Sequence, residues 1–381
     1  MGKHLVLVGG GHAHLTALRN ISEFTKRGHT VTLISASPYH YYSGMGPGML
    51  SGIYNPWDAR FHIRKMAESR GAAFIRSKVV KIDPIARLLF LDSGEKVGYD
   101  VVSFNTGSEV PIESIVRPMQ EKIIAVKPVL NLLKARHAIL EVIKTGGTRN
   151  YIVIGGGPAG LEICSNLWRL LHQHGGEGKI LLIAGERLMP SAPEKVRRLA
   201  LESLVKRGVE IVEGSFVKSV GQGSVVLTDE RRFNFDFAFL AIGIRPSAMF
   251  AESGLPCGPD GGLLVNAHLQ SVAHFDIFGG GDCVSLDGHT LAKVGVYAVR
   301  QNPILYRNLL VALEGGQMLT FRPQPSYLLI FNMGNGRGIF WKKEWVWNGR
   351  LAFLLKDYID RRFMRTFQVS GEQDDRSEVI E

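Results

Sequence analysis

Two glycine turns hold the most recognisable chemistry in this chain. Leu5-Val6-Leu7-Val8 runs into Gly9-Gly10-Gly11-His12-Ala13-His14, and Tyr151-Ile152-Val153-Ile154 runs into Gly155-Gly156-Gly157-Pro158-Ala159-Gly160. In such a turn the first glycine permits a tight bend, the second lets the backbone approach a pyrophosphate, and the third lets the next helix pack on its strand. The pyrophosphate then lies at the positive end of that helix. Each turn here follows an apolar run and precedes an amphipathic stretch, Leu15 to Phe24 and Leu161 to Leu171, a context far more specific than a lone glycine motif. The second turn is complete at Gly155, Gly157 and Gly160. The first holds His14 where the third glycine belongs, so close helix–strand packing must relax there. His12 and His14 alone are too few for a metal centre and are expected to line the nucleotide turn or pack locally; no metal site is expected.

An acidic residue about 20 positions past the turn grips a ribose in this kind of site. After the first turn Ser35, Ala36 and Ser37 stand there, and the Ser35 hydroxyl is a weaker substitute. After the second, Ala184 holds the place, with Glu186 and Arg187 just beyond. Glu186 would favour NADH and Arg187 NADPH, and both remain open.

These turns need strands and helices to hold them, and the surrounding pattern repeats. Apolar strands follow at Thr30 to Ser35 and Lys179 to Ala184, and each half closes on a strand ending in glycine, Asp100 to Gly107 and Asp236 to Gly243. Two nucleotide-binding units of one plan are the economical reading. Beyond them lie Phe275 to Asp282, containing Gly281-Asp282, and a helical stretch from Val296 to Leu310. From about Thr320 aromatic strands with turn glycines lead into a basic amphipathic segment. Residues 369–381 carry five acids against one arginine and are expected to be a flexible tail.

Composition sets outer limits. The 381 residues are 45% apolar and 21% charged, which is globular composition and excludes disordered, collagenous and disulfide-rich scaffolds. Cys164, Cys257 and Cys283 are scattered, with no Cys-x-x-Cys pair, which fits a reducing compartment. No apolar run approaches 18 residues, and a strand begins at Lys3, leaving no room for a signal peptide. Val6 stands where a myristoylation signal wants Ser or Thr. Lys and Arg number 45 against 35 Asp and Glu, a balance compatible with simple solubility, acidic ligands, nucleic acid or an anionic membrane.

The two turns, together with Asn105-Thr106-Gly107, Ala241-Ile242-Gly243-Ile244-Arg245-Pro246 and Gly281-Asp282, resemble the flavin-dependent pyridine nucleotide-disulfide oxidoreductase superfamily over residues 4–315. The resemblance implies an α/β protein with two Rossmann-like dinucleotide-binding domains, the NAD(P) domain inserted in the FAD domain, plus a small α+β C-terminal region. It places FAD on the first turn, NADH or NADPH on the second, and Asp282 on the ribityl chain of the flavin. The implied boundaries are 1–115 and 246–317 for the FAD domain, 116–245 for the NAD(P)H domain, 318–368 for the C-terminal region and 369–381 for the tail. Members that reduce disulfides use a cysteine pair, because a thiolate must attack the disulfide. This chain has none. Ser43-Gly44-Met45 replaces the single cysteine of the peroxidase and coenzyme A disulfide reductase branch, and no cysteine follows Cys283 as sulfide:quinone reductases require. Cys164 and Cys283 are expected to be buried small residues.

Direct transfer from flavin to a small acceptor is what remains. Gly160-Leu161-Glu162 and Tyr297-Ala298-Val299-Arg300-Gln301 resemble type II NADH:quinone oxidoreductases. That similarity implies that Glu162 seats the nicotinamide against the flavin and that Gln301 lies near the flavin and a quinone pocket. Gly11 to Leu15, Tyr41 to Met49 and Lys356 to Met364 look like the subgroup often fused to selenide, water dikinase. Between Arg337 and Gln368 there are eight basic and three acidic residues, with Trp341, Trp345 and Trp347. Leu351, Leu355, Ile359, Phe363 and Phe367 form a stripe at four-residue spacing, suited to a membrane surface or to docking on the flavin domain. The favoured acceptor is a quinone; a soluble sulfur or selenium reductase and a flavin-bound sensor are the rivals. Partners are the nicotinamide nucleotide and the acceptor, not nucleic acid, with a homodimer permitted. The expected location is the cytoplasm, peripheral at the inner face of the cell membrane.

Overall fold

Strands buried on both faces read as unbroken apolar runs, and both glycine turns follow such runs. In the computed structural model, which describes residues 2–116 and 122–376, these runs become the middle strands of two five-stranded parallel sheets. The first sheet is ordered Ile277–Gly279, Val101–Phe104, His4–Val8, Thr30–Ile34 and Ala73–Ile75. The second is ordered Ile123–Ala125, Phe237–Leu240, Arg149–Ile154, Gly178–Ile183 and Glu210–Val212. Each carries a three-stranded antiparallel meander between its third strand and its closing strand, at Val79–Asp83, Leu88–Leu91 and Lys96–Gly98, then at Val217–Gly221, Ser224–Leu227 and Arg232–Asn234. The repeat seen in sequence is thus a repeat of topology. Each glycine turn sits at the carboxyl end of a central strand, where open α/β sheets bind ligands.

The C-terminal region is an antiparallel sheet of Leu329–Asn332, Gly338–Lys342 and Trp345–Gly349 followed by the helix Arg350–Phe367. The four-residue stripe does not form one face of that helix. At 3.6 residues per turn each step of four drifts by about 40°, so Leu351 and Phe367 end on nearly opposite sides. Phe367 is buried and Phe363 packs against the core, whereas Leu351 is 71% exposed. The buried side is Ala352, Lys356, Asp360, Met364 and Phe367.

The chain does not run loose from Val369, as its acidity suggested. Through Arg376 it folds back on the first unit because its carboxylates find buried donors. Glu372 is 1% exposed and accepts from the His62 and Ser370 amides at 3.1 and 2.9 Å. Arg60 is fully buried, lies 4.2 Å from the Tyr39 ring centroid, and donates to the Asp375 carbonyl at 2.7 Å, with the carboxylate 3.7 Å away. Residues 377–381 lie outside the described residues. Ending the chain after Gln368 removes a partner of a buried charge and is expected to cost about 3 kcal/mol in denaturant unfolding. Arg60→Met in the shortened chain should recover part of that loss.

Candidate functional site

The second turn is built for close backbone approach. Gly155 has φ +126°, and a Cβ there would lie 2.2 Å from the Ala241 carbonyl oxygen. A Cβ on Gly160 would lie 1.8 Å from the Gly155 oxygen, whereas one on Gly157 would meet nothing within 4 Å. The helix Pro158–His174 therefore begins at an open position with no side-chain cap, and its first amides are available to an anion. Pro158 supplies no amide at the first helical position, and Ala159 continues the turn.

The first turn solves the missing glycine differently. Gly9 has φ +84°, and a Cβ on Gly11 would lie 1.9 Å from Asn105 Oδ1. Residues His12–His14, including Ala13, form a 3-10 turn before the short helix Leu15–Arg19. The His14 ring is buried, its Nδ1–H donating to the Gly9 carbonyl at 2.6 Å and its Nε2 accepting from Ser103 Oγ at 2.8 Å. Those bonds set a neutral tautomer, and burial lowers its pKa to about 4. His14 is thus a packing group that braces the turn.

Around this turn several polar groups converge. His12 is buried with its Nε2 unpaired among the described residues, as are His40 Nε2 and Asn105 Oδ1. The rings of His12, His40 and Tyr42 touch edge to face at 4.8 and 5.2 Å. Burial, then the charge of Lys127, lowers the His12 pKa to about 4, and His40 is pushed well down by burial, His12 and Lys127. Asp282 accepts from Lys127 Nζ at 2.7 Å and Ser108 Oγ at 2.9 Å. Gly281, at φ +78°, donates its amide to Gln301 Oε1 at 2.7 Å. Gln301, expected beside the acceptor, is 2% exposed and shapes the turn that carries Asp282. Thr106 is exposed at the end of the closing strand, Gly107 and Gly243 adopt positive φ, and Ser35 is partly buried.

Glu162 opens a second constellation, which the sequence only half disclosed. Its Oε1 accepts from the Asn332 amide at 2.6 Å. Burial raises its pKa to about 7, opposed by Lys356 and that amide and assisted by Asp360. Lys356, 8% exposed, donates to Asp360 Oδ2 at 2.7 Å and to the Gly44 carbonyl at 2.8 Å. Burial pulls the Lys356 pKa down, but Asp360 and Glu162 more than offset it and hold the ammonium charged. Tyr42 donates to the other Asp360 oxygen at 3.0 Å. Lys356, Asp360, Tyr42, Asn332 and Lys127 were not read as site residues from sequence; the Lys356–Asp360 spacing of four inside an apolar stretch was the available signal. At the second ribose position Glu186 is exposed, and Arg187 is tied to Glu194 at 2.5 Å. Cys164 and Cys283 are buried and all three cysteines are free.

Two dinucleotide turns, one beside an unpaired His12–His40–Asn105 set with Asp282, fit the pyrophosphate and ribityl groups of FAD and the pyrophosphate of a nicotinamide nucleotide. They define an NAD(P)H-dependent flavoprotein oxidoreductase. The chain belongs to the pyridine nucleotide-disulphide oxidoreductase family, which matches residues 3–303. It is 26% identical over 318 residues to ferroptosis suppressor protein 1 of Taeniopygia guttata, covering 79% of this chain and 80% of that one. It is 21% identical over 330 residues to the type II NADH:quinone oxidoreductase of Haemophilus influenzae, covering 74% of each. Among solved structures, NDH2 of Plasmodium falciparum in complex with NADH superposes with a TM-score of 0.79 at 13% identity, covering 99% of both chains.

A carboxyl group whose pKa is raised on folding weakens the fold as pH climbs through the unfolded value and past the folded one, because the native state then holds a proton it must lose. For Glu162 that window runs from about 4.5 to about 7. Glu162→Gln is expected to match the wild type in thermal stability below about pH 4 and to exceed it by about 3 kcal/mol at pH 8. Thermal denaturation across that range checks the sign.

Proposed function

We propose that this chain passes two electrons from NADH through FAD to a quinone without a thiol relay. The observation that carries the reading is the buried Lys356–Asp360 pair joined by the partly buried Glu162 and Tyr42, placed where the second turn's helix, the loop at Gly44 and the C-terminal helix meet. Ser43 stands in that loop where thiol-dependent relatives hold cysteine. The sequence relative from Haemophilus influenzae, a type II NADH:quinone oxidoreductase, supports the acceptor class.

Bound FAD supplies hydride acceptance from the nicotinamide and delivery of both electrons. The chain's own residues supply position and protons. Gly155, Gly157, Pro158, Ala159 and Gly160 seat the nicotinamide nucleotide's pyrophosphate, Gly9, Gly11 and His12 seat the flavin's, and Asp282 takes the hydroxyls of the flavin's ribityl chain. Glu162, in the second turn of its helix, orients the nicotinamide. A quinone gaining two electrons takes up two protons, one of which derives from the hydride; the other comes from solvent through the Glu162, Lys356, Asp360 and Tyr42 groups, whose ammonium also steadies developing negative charge on the acceptor. Glu186 is exposed while Arg187 is engaged with Glu194, which supports NADH over NADPH. The sheet order supports a nicotinamide unit of residues 116–245 inserted between 1–115 and 246–317. No described helix is long and apolar enough to cross a membrane; the reading includes peripheral membrane contact through residues 337–368.

Stopped-flow absorbance tests this directly. NADH should bleach the yellow protein within seconds, and a short-chain quinone should restore the colour. Glu162→Ala should slow bleaching more than reoxidation, and Lys356→Met should slow quinone reduction about 100-fold with a smaller effect on bleaching. Rapid bleaching with negligible reoxidation by any quinone would replace the quinone by a soluble acceptor, and a protein that neither retains nor takes up flavin overturns the reading.

A further inference from the structure

Hydride transfer needs the donor carbon within about 3.5 Å of its acceptor, yet the two glycine turns belong to different units of the chain. Whatever fixes one unit against the other near Glu162 therefore sets the reaction distance. Asn166, one helical turn beyond Glu162 on Pro158–His174, is fully buried there. Its Nδ2 donates to the Glu162 carbonyl at 2.8 Å and the Asn332 carbonyl at 3.2 Å. Its Oδ1 accepts from Ser51 Oγ at 2.8 Å and Asn332 Nδ2 at 3.3 Å. Four bonds exhaust a carboxamide. Asn332 and Ser51 are each 1% exposed. Ser51 follows the short helix Gly46–Leu50 of the first unit, just past the loop at Gly44. Asn332 ends a strand of the C-terminal sheet, and its own amide holds Glu162 Oε1. Three parts of the chain thus meet on one side chain. The strand end is held further on, where the Met333 carbonyl accepts from Arg207 at 2.6 Å and the Gly334 carbonyl from Arg169 at 3.0 Å. A Cβ on Gly334 would lie 2.1 Å from the Ser165 carbonyl oxygen.

We propose that Asn166 is a positioning residue for hydride transfer: bonded to Ser51, Asn332 and the Glu162 carbonyl, it fixes the Glu162 end of the nicotinamide site against the unit that holds the flavin. The proposal rests on the reading above, in which Glu162 orients the nicotinamide, and adds what orients Glu162. The physical case is one of direction. Buried polar groups cost free energy unless they are paired, and apolar side chains would fill the same junction without that cost. Apolar contact is non-directional, whereas a hydrogen bond weakens once donor and acceptor shift or tilt. Four of them on one planar amide fix both spacing and orientation. Asn166 is fully buried while Glu162 is only partly so, so Asn166 acts through Glu162 and the helix that carries it. The pyrophosphate grip comes from the backbone of Gly155 to Gly160, whose close contacts are made with Ala241 and within the turn itself. The effect of Asn166 therefore falls on hydride transfer and little on NADH binding.

The test is stopped-flow reduction of the full-length, flavin-loaded protein by NADH and by NADH deuterated at the transferred position. Asn166→Ala should slow bleaching at saturating NADH about 30-fold, within what an ångström of misplacement costs. The half-saturating concentration should change little, and a primary isotope effect should persist. Ser51→Ala removes one of the four bonds and spares those to Glu162 and Asn332. It should slow bleaching about 5-fold, and Ser51→Thr, which keeps the hydroxyl, should restore most of the rate. Because Asn166 acts through Glu162, adding Asn166→Ala to Glu162→Ala should cost far less than it does alone. Thermal denaturation separates folding from positioning: a lower midpoint with wild-type bleaching by the folded variants overturns the proposal. So do additive losses in the double variant, a loss confined to NADH half-saturation, or slowed bleaching that no longer responds to deuterium. If Asn166→Ala does not fold, the two Ser51 variants decide between the same outcomes. A wild type that NADH does not bleach overturns the parent reading together with this one, whereas the other outcomes leave that reading standing.

Discussion

A lysine taken out of water must be answered by partners, and Lys356 is answered from three directions. Asp360 comes from the next turn of its own helix, the Gly44 carbonyl from a loop of the first unit, and the field of Glu162 from the helix of the second. Removing any one leaves a buried charge poorly compensated, and that is among the costlier changes a fold can suffer. The C-terminal helix therefore has little freedom to roll or slide. Tyr42, donating to Asp360, carries the same constraint to the ring cluster of His12 and His40. Because the charged pair faces inward, the leucines of that helix face out. The buried polar set and the exposed leucines are two consequences of one orientation.

The two glycine turns show how one plan tolerates different chemistry. In the second, three glycines allow backbone to approach backbone, and Gly157 leaves open space at the helix start. In the first, a histidine replaces the third glycine and the geometry adjusts by a 3-10 turn and a broken helix, with Asn20 between Leu15–Arg19 and Ile21–Lys26. The imidazole fills the widened gap and restores the hydrogen bonds through Gly9 and Ser103. Burial keeps His12, His14 and His40 neutral at physiological pH, so the positive charge of this cleft is concentrated on Lys127 beside Asp282. Gln301 holds the Gly281 amide, so its contribution is made one residue away from the carboxylate it positions.

Much of this was legible because it is local. A tight turn needs glycine at set positions, and a buried parallel strand needs consecutive apolar residues, so the turns and central strands of both sheets stand in short stretches of sequence. Glu162 was legible for the same reason, two residues past the last tight glycine, Gly160. Lys356 was read only as one basic residue in a basic segment. Its bond to Gly44 spans 312 positions, and no periodicity reports such a partner. The stripe of Leu351 to Phe367 misled because a spacing of four approximates a helical turn without equalling it, and the error accumulates over four steps. The acidic tail misled because net charge describes solvation of a free chain, whereas Glu372 and Asp375 meet buried donors.

By itself, the sequence determined the class of chemistry: two pyrophosphate cradles, the acid at Asp282, and the absence of a paired thiol. These are properties of residue types at fixed short spacings, which the peptide geometry converts directly into shape. Tertiary structure decided which way the C-terminal helix faces, which charges gather around Lys356, and that Arg187 is paired with Glu194 while Glu186 is exposed. Those outcomes depend on desolvation and on partners distant in the chain, where the energy of burying a charge is settled only once every neighbouring element has arrived.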